Sequence, residues 1–173
     1  MIGGNEDYGD AFKDAKLEHD QRLQGSAEKQ RLQAEADANA AVLSDVVLPQ
    51  LQAAADELEP HGGSVEIRRY GRTGKSLRPT SIAFRITDEV GHHSHVYFIA
   101  PHGGTVTVTR GDSFGLAGQE PQHPVNVSKD VGIQKRDDLT IENVKKLILG
   151  AIGEYRNDRT TNERADNKDA TPP

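Results

Sequence analysis

Cysteine is absent from this chain, so neither a disulfide framework nor a thiolate metal site can form. No window approaches the roughly 20 apolar residues of a membrane span. The first residues, Met1-Ile2-Gly3-Gly4-Asn5-Glu6-Asp7, lack the basic region and apolar run of a secretory signal. A cytoplasmic location is the expectation. Large apolar residues are also scarce. Leu, Ile, Val and Phe number 37 in 173, close to the level at which a chain no longer folds. Their placement matters more than their total, because 32 of the 37 lie between residues 39 and 156. The core must come from that stretch, since the flanks cannot bury enough apolar surface to offset their ordering entropy. The expected organisation is a poorly ordered or frayed helical segment over 1–25, a single α+β domain over 26–156, and a disordered tail over 157–173.

Charge of one sign does not dominate, but it is unevenly spread. Residues 1–60 carry 5 Lys/Arg against 13 Asp/Glu, whereas residues 61–110 carry 7 against 3. Five of the seven histidines fall in that basic stretch. Such asymmetry marks either a partner surface or an acidic helix lying across a basic sheet.

The first helical pattern is strong. Leu32, Ala36, Ala40, Leu43, Val47, Leu51, Ala54 and Leu58 recur at steps of three and four, a narrow amphipathic stripe that begins after a break at Gly25-Ser26. Pro49 lies inside it and predicts a kink near Asp45–Pro49. Four alternating runs come next, around Val65–Ile67, Ile82–Ile86, Val96–Ala100 and Val106–Val108. They are joined by short turn-rich links that predict an antiparallel meander. Residues 111–138 read as a long loop with a short strand at Val125–Val127. A second helix is expected from Thr140, with Ile141, Val144, Leu147, Ile148, Ala151, Ile152 and Tyr155 as its apolar face. The fold class is therefore α+β. A four- to five-stranded antiparallel sheet carries a long kinked N-terminal helix and a C-terminal helix on one face.

Three motif fragments lack the context that their chemistry needs. Gly74-Lys75-Ser76 ends like a P-loop, but Arg69 stands where the pattern requires glycine, and a strand comes next instead of a helix. Gly111-Asp112-Ser113-Phe114-Gly115 matches the G-x-S-x-G elbow of serine hydrolases, yet Leu116 to Pro121 is too short and broken for the helix that presents the serine. In His92-His93-Ser94-His95, His93 and His95 share a strand face, but Val96 to Ala100 offer no carboxylate to complete a metal site, and His61 and His102, as third ligands, sit in turns without fixed geometry. No catalytic residue, metal or cofactor is expected. Pro60-His61-Gly62-Gly63 and Pro101-His102-Gly103-Gly104 are alike, and two tight turns feeding strands account for both.

The alternation also assigns the faces of the sheet. Val65, Ile67, Ile82, Phe84, Val96, Phe98, Val106 and Val108 are expected under the helices. Glu66, Arg68, Tyr70, Arg85, His93, His95 and Tyr97 are expected outward. Arginine beside tyrosine on an open sheet suits an anionic ligand or single-stranded nucleic acid. The candidate ligand-binding set is Arg68, Arg69, Tyr70, Arg72, Lys75, Arg78, Arg85, His95 and Tyr97, over the strand–loop segment 68–85 and the third strand. The leading expectation is a non-enzymatic interaction or accessory protein acting as a homodimer through the helical stripe. Anion or nucleic-acid binding is the alternative, and hydrolysis through Ser113 is a third.

Overall fold

The alternating runs do form strands. The computed structural model describes residues 8–71, 79–116 and 119–168. The chain divides into two compact units, Met1–Glu35 and Ala36–Pro173. The first is helical from Tyr8 onward, and its residues 11–34 are all exposed. The second contains the sheet and the core. Helix α1 (Tyr8–Val42) runs through Gly25 and Ser26, where the sequence predicts a break. One interior glycine costs about 1 kcal/mol, too little to end a helix of this length.

Pro49 shapes the junction between the first two helices. It has no N–H, and its ring crowds the carbonyl four residues back. The chain meets this with a π turn at Leu43–Val47 before α2 (Leu48–Leu58) begins. There the Leu48 N–H donates to the Leu43 carbonyl, five residues back. Pro49 then falls in the first turn of α2, where a missing N–H costs little. The expected kink is thus a π-bulge. Leu43, Val47 and Leu51 project from this stretch into the core, all fully buried.

The sheet is a meander in the spatial order β1 (Gly63–Tyr70), β2 (Ser81–Asp88), β3 (Val96–His102), β4 (Thr105–Gly111) and β5 (Val125–Asn126). The two Pro-His-Gly-Gly turns are explained by backbone. Gly62 at φ 75° and Gly103 at φ 59° both adopt the left-handed conformation that a side chain resists. Two buried serines extend the ladders. The Ser94 hydroxyl accepts from Ile86 N–H at 3.0 Å, and the Ser128 hydroxyl accepts from Val108 N–H at 2.6 Å. Helix α3 (Ile141–Lys168) starts from Thr140, whose hydroxyl accepts the Asn143 N–H at 3.2 Å.

Helices α2 and α3 cover one face. Leu43, Val47 and Leu51 meet Val144, Leu147, Ile148 and Ala151 there, over Ile82, Phe84, Ile86, Val106 and Val108. Cross-strand register aligns Ile67, Phe84, Tyr97 and Arg110 in one row, and Ile82, Ile99 and Val108 in the next. At the end of the first row Arg110 donates to the Glu154 carboxylate of α3. Burial works against the Arg110 charge, but Glu154 and Tyr97 more than offset it, so the guanidinium pKa is raised. Burial, reinforced by Glu154, raises that of Tyr97.

Strand β3 faces the opposite way to the expectation. Tyr97 and Ile99 join the helix-side core, with the Tyr97 ring stacked on Phe84 at 5.4 Å between centroids. Val96 and Phe98 lie on the other face, in a second cluster with Tyr70 and Ala83. The run Val-Tyr-Phe-Ile-Ala is apolar at both parities because both faces of this strand are buried. Alternation therefore does not orient it.

Asp88, at the end of β2, joins the sheet to α3. Its Oδ1 accepts N–H bonds from Val90 at 3.0 Å and His92 at 2.9 Å. Its Oδ2 accepts the Tyr155 hydroxyl at 2.6 Å and lies 3.2 Å from His92 Nδ1. The Tyr155 bond is the main cause of a carboxyl pKa lowered to about 2. Burial opposes it, and the His92 ring and the two amides add to it. Because the folded value is depressed, this contribution is complete above about pH 4, where the unfolded chain is also ionised. It is lost as the pH falls from there toward about 2. In urea melts across that window, Tyr155→Phe and Asp88→Asn should flatten the acid limb of the stability profile. An unchanged acid limb in both variants would refute the role assigned to this contact.

Candidate functional site

The outer face of the sheet carries the described arginines of the candidate set that share a side. Period-two geometry splits the neighbouring pair: Arg68 lies opposite Ala83 on the outer face, whereas Arg69 lies opposite Ile82 on the helix side, where it is exposed. Arg85 pairs across the strands with Glu66. Arg85 Nε donates to Glu66 Oε2 at 2.7 Å, and Arg68 Nη2 donates to Glu66 Oε1 at 3.2 Å. One carboxylate thus holds two guanidinium groups.

A covering segment brings an aromatic ring to the same place. After β4 the chain leaves the sheet and returns, with Ser113 bridged to Gln122 and the Asp112 N–H donating to the Gln122 carbonyl at 3.3 Å. Phe114 sits at the turn-ward end, with the Arg68 guanidinium 4.2 Å and that of Arg85 5.2 Å from its ring centroid. Both lie within cation–π range. The Tyr70 hydroxyl donates to the Gly115 carbonyl at 3.3 Å, and its ring lies 5.7 Å from Phe98. Burial raises the Tyr70 pKa, against the pull of Arg68. His95 Nδ1 lies 3.3 Å from Asp112 Oδ1, a second tie between sheet and cover.

The candidate residues therefore scatter. Arg68, Tyr70 and Arg85 adjoin the outer face and its cover, whereas His95, just before β3, meets the cover only through Asp112. Arg69 and Tyr97 belong to the helix side, Tyr97 as a core residue. Arg72, Lys75 and Arg78, with the P-loop-like Gly74-Lys75-Ser76, lie outside the described residues. Sequence reading misses Phe114, Glu66 and Asp112 as partners of these cations. The signal available is the pair of glycines around Phe114. A Cβ at Gly111 would stand 2.6 Å from Pro121 Cβ, and one at Gly115 would stand 2.2 Å from the Glu120 carbonyl oxygen. Such close approach of two backbones marks a folded-back segment.

The same segment bears on the hydrolase motif. Ser113 lies in a chain that doubles back to Gln122, and among the described residues of that segment none is helical to act as an elbow. His123 adopts the left-handed backbone at φ 57° and is exposed. Among the described residues no group of three or more His, Asp or Glu is placed to hold a metal ion. None of the described helices is long and apolar enough to cross a membrane.

A second surface lies on α1 and belongs to the first unit alone. Its large apolar side chains are open to solvent: Tyr8 at 91 %, Phe12 at 70 %, Leu17 at 58 %, Leu23 at 55 % and Leu32 at 53 % exposure. At about 100° per residue, Tyr8, Phe12, Ala15, His19 and Leu23 fall within about 80° of arc. Leu17 points to the opposite side of the helix and Leu32 away from the stripe. Ion pairs run along the remaining surface, from Arg22 to Glu18 at 3.5 Å and from Arg31 to Glu28 at 2.7 Å.

Neither family models, characterised proteins nor solved structures give a match to this chain.

The cover predicts a contrast between glycines. Gly115→Ala forces a methyl against backbone oxygens and should lower stability by about 1–3 kcal/mol. Gly25→Ala, with nothing within 4 Å of the added carbon, should raise helix stability by roughly 0.5–1 kcal/mol. Thermal melts monitored by circular dichroism distinguish the two, and a neutral Gly115→Ala would show that the cover is not packed on the sheet.

Proposed function

We propose that this is a non-enzymatic interaction protein that self-associates, with α1 as its binding arm. One observation carries the reading: Tyr8, Phe12 and Leu23 are exposed on one side of a helix whose residues 11–34 are all exposed. Helices draw most of their stability from packing an apolar face, and isolated ones are marginal in water. Contiguous exposed apolar surface rimmed by charge marks an association site. The cysteine-free composition and the scattered candidate site add no competing catalytic set. Sedimentation velocity over a range of concentrations should show a reversible dimer. Phe12→Asp should shift it to monomer without moving the melting temperature of the sheet domain. A wild-type chain that stays monomeric at high concentration would end this reading.

A second reading is binding of an anion or single-stranded nucleic acid through the segment 68–85. The observation in its favour is the co-facial placement of Arg68 and Arg85 beside Phe114 and Tyr70. Glu66 already neutralises part of that charge. Binding to a polyanion should therefore be weak, should fall steeply with salt, and should strengthen in Glu66→Gln. No binding of heparin or oligonucleotide at low salt would dismiss it.

A further inference from the structure

We infer that Phe114 is an internal occupant of the outer-face site, its ring seated where a base of single-stranded nucleic acid stacks on binding. This rests on the second reading above and adds how the free protein restrains it. The Arg68 and Arg85 guanidinium groups lie 4.2 and 5.2 Å from the Phe114 ring centroid. A splayed base stacks on a guanidinium plane as an aromatic side chain does. The two guanidiniums share one carboxylate, Glu66, which leaves one positive charge over for a phosphate.

The apolar floor decides the class of ligand. Phe114 packs on Tyr70, Ala83, Val96 and Phe98. An anion without a ring neutralises the arginines but leaves that floor wet once Phe114 departs. A base with its phosphate restores the cover and supplies the charge in one molecule. The ring can leave without the cover unfolding, because other groups make the backbone ties. Ser113 bridges to Gln122, the Tyr70 hydroxyl donates to the Gly115 carbonyl, and Pro121 is fully buried. Phe114 is itself half-buried, so a change of rotamer carries its ring toward solvent. The free protein thus competes with its own ligand, and the ring adds to the restraint that Glu66 places on the site.

The test gives opposite signs for an occupant and a stacking platform. Binding of a dye-labelled oligodeoxythymidylate of about twelve nucleotides to the full-length chain is followed by anisotropy at low salt. Heparin serves as a polyanion without bases. Phe114→Leu keeps an apolar side chain on the floor but removes the ring. It should strengthen oligonucleotide binding about five- to tenfold and leave heparin binding within about twofold. The chain has no tryptophan, so Phe114→Trp supplies a lone reporter that does not depend on the leucine variant folding. Its emission should move to the red as oligonucleotide is added, because the ring passes into water. Oligonucleotide binding that is weakened or unchanged in Phe114→Leu would overturn the inference while the second reading stands. An equal gain for heparin, or tryptophan emission that is quenched without a red shift, would do the same. No binding of either probe by the wild type and by Phe114→Leu would remove both.

Discussion

Tyr97 lies against Phe84 in the middle of the sheet, and beyond it Arg110 reaches the Glu154 carboxylate of α3. This row sets which side of β3 faces the helices. Once Tyr97 is inside, Ile99 must be inside as well, and Val96 and Phe98 must be outside. Phe98 then needs cover of its own. Tyr70, Ala83 and Phe114 supply it, and Phe114 arrives only because the chain after β4 folds back over the sheet. The small outer layer is therefore a consequence of the choice made in the main core. So is the arginine pair, since Arg68 and Arg85 lie over the ring that closes that layer.

Much of the architecture is legible in the residues. Single-parity runs such as Val65–Ile67 and Val106–Val108 show both that a strand forms and which way it faces. The apolar positions of α3, from Val144 to Ala151, sit on the core as their spacing requires. The short strand near Val125 is present over Val125–Asn126. The illegible features are physically of one kind, each set by a partner distant in sequence. Val-Tyr-Phe-Ile-Ala has no polar parity, so only its neighbours orient it. The hydroxyls of Ser94 and Ser128 replace strand partners that no local pattern specifies. Pro49 announces a disturbance in the helix but not its form, which here is a widened turn.

The candidate site is less legible for the same reason. Arg68, Arg69 and Tyr70 are adjacent in sequence, yet the pleat puts Arg69 on the side away from the other two. Parity alone turns Tyr97 outward, and parity is silent on a strand buried on both faces. Glu66, the group that most restrains the charge of Arg68 and Arg85, stands as one acid in a basic stretch with no local sign of its partners. On α1 the decisive fact is not composition but continuity. Tyr8, Phe12 and Leu23 look isolated in the sequence, and they share a face because the chain is helical without a break from Tyr8 to Leu23.

The order of the strands leaves β1 at one border of the sheet, with β2 on its inner side and no strand on the other among the described residues. An eight-residue border strand is an open template of amide and carbonyl groups. Here it is written with Glu66, Arg68 and Arg69, charges that would have to be desolvated before a foreign strand could add on. The opposite border is only two residues long. Both rims of the described sheet thus discourage recruitment of further strands, so uncontrolled stacking of these molecules into fibres is disfavoured at β1 by charges on both of its faces and at β5 by its shortness.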